Sequence, residues 1–350
     1  MTLAASLSVR RGPLRLAVDI EVGEGEVAAV LGPNGAGKST MLAAVAGLLP
    51  IGEGRVVLDG KVLEDTALGT RLSPQRRPVG VVFQERRLFP HLSVLDNVAF
   101  GLRTRGEGRA TARRRAEEWL ARLGLTELAG GRPEQLSGGQ AQLAALARAL
   151  ATKPRLLLLD EPLAALDVAT RAEVRRELVR HLRSFAGTRL LVTHDPLEAM
   201  ALADRLLVLE EGRIVQSGTP ADVRERPRSR YAADLVGVNL FRGRARAGVV
   251  ELPSGGRIVV AGAGVGEVFA VVHPRSVALH RQDPEGSPRN VWRATAERVD
   301  VEGDRVRVLL GGSVPLVAEV TPAAADELRL AEGGPVWATV KATEVVAYPA

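Results

Sequence analysis

The chain contains no cysteine. That excludes disulfides and thiolate metal sites, and it agrees with a reducing compartment. Aromatic residues make up only 3% of the sequence. Long apolar runs are missing too. Leu156-Leu157-Leu158-Leu159 and Leu190-Leu191-Val192 are strand-length, far short of the roughly 20 residues a membrane span needs. The opening residues, Met1 to Arg11, place their charges after the apolar positions and contain no extended apolar core. A secretory leader is therefore not expected, and a cytoplasmic location is.

What is present is ordinary soluble composition. Hydrophobic residues account for 46% and charged residues for 25% of 350 positions, a length that suits two domains, one larger than the other. The net charge of +6 would suit nucleic acid or an anionic surface. Most positives alternate with Asp and Glu, however, which reads as a solvated surface. Arg103, Arg105, Arg109, Arg113, Arg114 and Arg115 stand apart, with Glu107 the one acid among them. They are read as a solvated helix face rather than a surface for an acidic partner.

Over residues 1–228, β-rich runs alternate with helical patterns, which predicts a mostly parallel sheet covered by helices. Strands are expected at 27–31, 55–58, 79–83, 155–159 and 189–193. Helices are expected at 40–49, 110–123, 140–152 and 169–185, and a hairpin about Glu211-Gly212. Beyond the Arg/Pro-rich stretch 224–230, short alternating strands and Gly turns predict an all-β domain, a small barrel with one helix near 322–328. No internal repeat stands out. The segments either side of Asp283 to Pro288 can still be read as two related β modules, so 229–285 is taken as linker and first module and 286–350 as the barrel domain.

Gly32-Pro33-Asn34-Gly35-Ala36-Gly37-Lys38-Ser39-Thr40 has P-loop spacing and sits between a predicted strand and a predicted helix. The glycines let successive N–H groups point at phosphates, and the helix start adds partial positive charge. Lys38 reaches the outer phosphates and Ser39 ligates Mg²⁺. A helix dipole supplies only about 1 kcal/mol, so the N–H and lysine contacts carry most of the hold on ATP. Asp160-Glu161 leave a buried apolar strand where open α/β sheets bind ligands. Asp160 would hold the Mg²⁺ shell and Glu161 would orient or deprotonate the attacking water. Ser137-Gly138-Gly139-Gln140 open another helix and offer a second set of phosphate donors, this time without a lysine. A second copy of the chain closing over the nucleotide accounts for both cradles.

With these motifs in order, residues 1 to 220 resemble the ATPase subunits of ABC transporters. The resemblance implies an α/β P-loop ATPase domain with a helical subdomain, followed here by an all-β barrel of the oligonucleotide/oligosaccharide-binding (OB-like) kind. It implies that Gln84, in Val82-Phe83-Gln84, contacts Mg²⁺ and the attacking water. His194, in Thr193-His194-Asp195, senses the γ-phosphate, and Leu166-Asp167 crosses the dimer seam. An imidazole suits that post because one nitrogen donates while the other accepts. Three departures are visible. Arg10, Arg11 and Gly12 stand where an aromatic that stacks on adenine is usual. Leu143 replaces a common arginine, and the loop Ala164-Ala165-Leu166-Asp167 has alanine for serine.

Without a span of its own, such a subunit implies two separate membrane-embedded permease subunits docked near Gln84. It further implies a homodimer at the cytoplasmic face of the membrane, served indirectly by an external substrate-binding protein. An appended β domain fits import better than export. The stretch Val82 to Val94 looks most like molybdate importers, and Ser287-Pro288-Arg289-Asn290-Val291-Trp292 and Lys341-Ala342-Thr343 resemble the oxyanion-contacting stretches of molybdate-binding β domains. Ser287, Arg289, Asn290, Lys341 and Thr343 supply donors and cations that suit a dianion. Sulfate, ferric iron, a polyamine or a sugar stay open as cargo. Nucleic acid is not an expected partner, since the β region has few aromatics for base stacking.

Overall fold

The computed structural model describes residues 2–84, 88–164, 166–262 and 264–350. Glu85, Arg86 and Arg87 of the molybdate-like stretch, and Ala165 of the alanine-substituted loop, lie outside the described residues. The chain divides into two compact units, Met1–Pro220 and Ala221–Ala350.

In the first unit, strands Arg205–Glu210, Val27–Leu31, Thr188–Val192, Leu156–Asp160 and Val79–Val82 lie side by side in that order, all parallel. Arg213–Gly218 adds an antiparallel edge. Val27–Leu31, Thr188–Val192 and Leu156–Leu159 are buried throughout, which is why Val27–Leu31, Leu156–Leu159 and, after the buried Thr188 and Arg189, Leu190–Val192 read as apolar runs rather than alternating ones. A second, antiparallel sheet was not foreseen. Leu14–Val22 pairs with Leu3–Arg11, which pairs with Glu53–Leu58, followed by Lys61–Asp65 and Thr70–Arg71. The expected strand at 55–58 thus belongs to this sheet and not to the parallel one. Leu3, Ala5, Leu7 and Val9 alternate inward with a period of two and share a core with Val30, Met41, Leu158 and Val192.

The helix Lys38–Val45 packs between the sheets and ends in a Schellman motif. Gly47 N–H donates to Ala44 O and Leu48 N–H to Ala43 O, each at 2.9 Å, with Gly47 at φ 79°. The end carbonyls Ala44 O and Val45 O also accept from the guanidinium of Arg77, at 3.3 and 2.9 Å. Arg77 also makes an ion pair with Glu64, and both residues are buried. The helical subdomain is formed by Val94–Thr104, Arg109–Arg122 and Gly138–Ala151. The first of these was also unforeseen, although Ser93 caps it by accepting from Asp96 N–H at 3.0 Å. Several of the clustered arginines there are engaged locally, Arg115 with Glu107, Arg113 with Glu117 and Arg105 with Thr152 O.

Two short helices, Pro220–Glu225, which starts on the last residue of the first unit, and Arg230–Val236, lead into two five-stranded sheets around one apolar core. Their strand orders correspond. Asn239–Arg246, Val249–Glu251 and Arg257–Val259 form a meander, and Gly266–Val272 flanks its first strand. Asn290–Glu302, Arg305–Gly312 and Leu316–Val320 repeat that meander, flanked by Pro335–Val340. Each half then sends its last strand to the other. Ala278–His280 pairs with Pro335–Val340, and Val345–Pro349 pairs with Gly266–Val272. Two asparagines tie the sheets together at equivalent places. Asn239 brackets the backbone N–H and C=O of Val317 at 2.6 and 2.8 Å, and Asn290 brackets those of Val259 at 2.6 and 2.9 Å.

Candidate functional site

The ends of the parallel strands bring the sequence-predicted residues together. Val27–Leu31 runs into the Gly-rich loop, where Gly37 adopts φ 106° at the helix cap without a side-chain partner, so the first N–H groups of the helix stay available to a ligand. Gly32, Ala36, Gly37, Lys38 and Thr40 are buried, while Pro33, Asn34, Gly35 and Ser39 are exposed. Lys38 Nζ donates to Gly32 O at 2.7 Å and to Pro33 O at 3.0 Å. Burial pushes its pKa below the ordinary lysine value, against the pull of Glu161 and Asp160. A poorly solvated ammonium beside open N–H groups is well suited to phosphate oxygens.

From this loop a line of polar groups crosses the strand ends. Ser39 Oγ donates to Asp160 Oδ1 at 3.1 Å. The next residue, Glu161, has φ 46°, in the left-handed region, a conformation that costs a non-glycine residue about 1–3 kcal/mol. It is pinned there by its N–H donating to Val192 O at 2.8 Å. This aims Glu161 Oε2 between two partners: Gln84 Nε2 donates to it at 3.1 Å, and His194 Nδ1 lies 3.1 Å away. Gln84 follows strand Val79–Val82 and His194 follows strand Thr188–Val192, and both side chains are reachable from solvent. Asp160, Glu161, Gln84 and His194, scattered over the sequence, thus converge within hydrogen-bonding reach of one another or of Ser39.

Ser137, Gly138, Gly139 and Gln140 stand elsewhere. Ser137 caps the helix Gly138–Ala151 in a reciprocal box: its hydroxyl accepts from Gln140 N–H at 3.3 Å, and Gln140 Oε1 accepts from Ser137 N–H at 2.9 Å. Ser137, Gly139 and Gln140 border a cleft of about 420 Å³ shared with Leu143, Thr170 and Glu173, and its lining includes none of residues 32–40. Asp167 caps the helix Val168–Arg183 by accepting from Thr170 N–H at 3.0 Å.

Sequence reasoning missed a group behind His194. Glu198 is buried on the helix Pro196–Leu202, where burial raises its pKa to about 7. Thr193 Oγ donates to its Oε2 at 2.5 Å. The only local signal was Asp195-Pro196, which announces a helix start and says nothing of what the following turn buries.

In the β unit, Ser287, Arg289, Lys341 and Thr343 are exposed, and pairing of Asn290 with Val340 sets the two segments side by side. Asn290 itself is 2% exposed, and its carboxamide is engaged with Val259 at both ends. Asn290→Ala is expected to lower the stability of the full chain by about 1–3 kcal/mol, the cost of leaving a buried N–H and C=O unpaired. An unchanged denaturant midpoint for the β unit, followed by tryptophan fluorescence, would contradict that.

Residues 16–164 match the ABC transporter family model, and residues 286–347 match the TOBE domain. The chain is 45% identical to the molybdenum import ATP-binding protein ModC of Mycobacterium tuberculosis, over 96% of this chain and 95% of that protein. It is 41% identical to the sulfate/thiosulfate import ATP-binding protein CysA of Nocardia farcinica, over 95% and 94% respectively. Among solved structures, a dimeric ATP-binding cassette in a post-hydrolysis state bound to ADP and Pi matches with TM-score 0.53 and 31% identity. That match covers 63% of this chain and 99% of the other.

Proposed function

The chain belongs to the ATP-binding proteins of ABC transporters, an ATPase with a C-terminal TOBE domain, and from that membership we propose that it powers import of molybdate through separate membrane subunits. The observation that carries the catalytic part is Glu161 Oε2 held between Gln84 and His194, one residue after the carboxylate that meets Ser39. In this reading residues 32–40 cradle the triphosphate, Lys38 balances its outer charge, Glu161 takes the proton of the attacking water, and His194 contacts the γ-phosphate.

The hydroxyl of Ser39, the carboxylate of Asp160 and the amide oxygen of Gln84 are hard oxygen donors of the kind Mg²⁺ takes alongside phosphate oxygens. They would hold the ion, which neutralises charge on the β- and γ-phosphates when bound. Ser137 to Gln140 and Asp167 act in trans, on the nucleotide held by a second copy, which accounts for a cleft at Ser137, Gly139 and Gln140 that stands apart from the loop. Arg10 and Arg11, exposed at the end of strand Leu3–Arg11, offer a guanidinium plane to adenine. Two permease subunits and, indirectly, an external binding protein complete the assembly at the cytoplasmic face of the membrane.

Molybdate is favoured over other cargo by the 45% identity to the molybdenum import protein across nearly the whole of both chains. Sulfate is the second reading, on the 41% identity to the sulfate/thiosulfate protein. Reconstituted with its permease and external binding protein, the ATPase should be stimulated by molybdate and tungstate. Stimulation by sulfate alone would refute the cargo assignment.

Ser287, Arg289, Lys341 and Thr343 form the proposed oxyanion-sensing edge of the β unit. Cytoplasmic molybdate is accordingly expected to slow hydrolysis in the assembled transporter, and Lys341→Ala to abolish the slowing. Undiminished inhibition in that variant would sink the regulatory reading.

A further inference from the structure

Behind the pair Glu161 and His194 lies a cavity lined by Glu161, Arg171, Thr193, His194, Asp195 and Glu198. The space open to the centre of a water molecule is about 10 Å³, close to the roughly 10–15 Å³ that one water requires. Two buried polar atoms on its walls have no hydrogen-bond partner among the described residues, Glu198 Oε1 and Arg171 Nε. One is an acceptor and the other a donor, and a buried group left in that condition is costly unless a water completes it. The other oxygen of Glu198 is spoken for. Thr193 Oγ accepts from Asp195 N–H at 3.0 Å and therefore turns its own proton toward Glu198 Oε2, at 2.5 Å. Thr193 is the residue immediately before His194, so the same hydroxyl that anchors Glu198 fixes the turn from which the imidazole projects.

We propose that Glu198 is a positioning residue for ATP hydrolysis, setting the His194 turn through the Thr193 hydroxyl and through one water held between Glu198 Oε1 and Arg171 Nε. The inference rests on the assignment of Glu161 and His194 to the reaction.

The ionisable and charged groups facing Glu198 are few. Asp195 raises its pKa, while Arg175, paired with Asp195 at 3.1 Å, and His194 lower it. Glu161 and Arg171 face it across the cavity. Burial outweighs these, so the carboxyl titrates near pH 7. Below that pH Glu198 is neutral, and its proton occupies Oε1, since Oε2 already accepts from Thr193. Above it, the carboxylate accepts at both oxygens, from Thr193 on one side and from the water on the other, and places negative charge behind the imidazole. That form, accepting at both oxygens, fixes the Thr193 hydroxyl and with it the turn that carries His194.

Steady-state ATP turnover by the full chain should therefore rise through an inflection near pH 7. In Glu198→Gln that inflection should vanish, with kcat at pH 8 reduced about 3- to 10-fold and KM for ATP within about twofold, a smaller loss than the roughly 10²- to 10⁴-fold of a group that itself transfers the proton. A residue that only fills space would leave the pH profile unchanged in shape. Thr193 gives an independent pair: Thr193→Ser keeps the hydroxyl and should keep the inflection, whereas Thr193→Val should lose it. An inflection retained in either Glu198→Gln or Thr193→Val overturns the proposal. Glu161→Gln measured alongside separates the two levels. Full turnover there removes the catalytic assignment itself, while a dead Glu161→Gln with an unshifted Glu198→Gln profile removes only Glu198.

Discussion

Glu161→Gln lowers steady-state ATP hydrolysis by about 10²- to 10⁴-fold, the span attributed to a positioned general base, while ATP still binds. The substitution changes charge and little else. Gln has the same length, its carbonyl oxygen accepts from Gln84 as the carboxylate does, and the backbone N–H to Val192 O, which holds the left-handed conformation, is untouched. What disappears is the capacity to take a proton. If two copies close over the nucleotide, the variant accumulates as an ATP-bound dimer, visible by size-exclusion chromatography with ATP and absent without it. Phosphate release at the wild-type rate would strip Glu161 of its role.

The second large effect concerns stability. Arg77→Leu is expected to cost about 3–5 kcal/mol, the range for removing one partner of a buried ion pair. Glu64, 3% exposed, would have one oxygen facing a leucine, while its other oxygen keeps Ile51 N–H at 3.1 Å and the half-exposed guanidinium of Arg71 at 3.5 Å. The damage extends beyond the pair, because Arg77 also gives Ala44 O a second donor beside Gly47 N–H and satisfies Val45 O and Leu72 O. Those first two carbonyls end the helix that carries Lys38 and Ser39 at its other end. The double variant Glu64→Leu/Arg77→Leu separates the contributions. It should recover the part due to the stranded carboxylate but not the part due to the bare carbonyls, leaving a residual loss of roughly 1–3 kcal/mol. Urea unfolding of the single and double variants measures both, and a single variant as stable as wild type would contradict the argument.

These two residues differ in how visible they were beforehand. The place of Glu161 at the strand ends, beside the Gly-rich loop, was legible because it follows an apolar strand and an aspartate, downstream of that loop with its lysine, which is a local pattern. The strand 27–31 was legible to its limits because full burial on both faces produces an unbroken apolar run. Arg77 was invisible. It follows Arg76 in what reads as a polar stretch, and only the fold shows that one of the two guanidinium groups is enclosed. Glu198 failed for the same reason, since burial of a charged residue is a property of the elements around it. The antiparallel strands Leu3–Arg11 and Leu14–Val22 carried their period-two signal in plain view, but Ala, Ser and Arg dilute it. Asn290 shows the opposite error. Its residue type and company suggested a ligand donor, and its amide proves to be committed to Val259.

The crossing of last strands in the β unit bears on when the protein can finish folding. Tyr348, on strand Val345–Pro349, donates its hydroxyl to Pro227 O at 2.5 Å across a separation of 121 residues, and its strand completes the sheet begun by Asn239–Arg246. At roughly 5–20 residues per second, the first half waits on the order of ten seconds on the ribosome with one sheet edge unpaired. An uncovered edge of that kind is a template for pairing with another chain. Nascent chains stalled before residue 345 should consequently be the aggregation-prone species, and overexpression yield should depend on translation speed through this interval more than through the nucleotide-binding half.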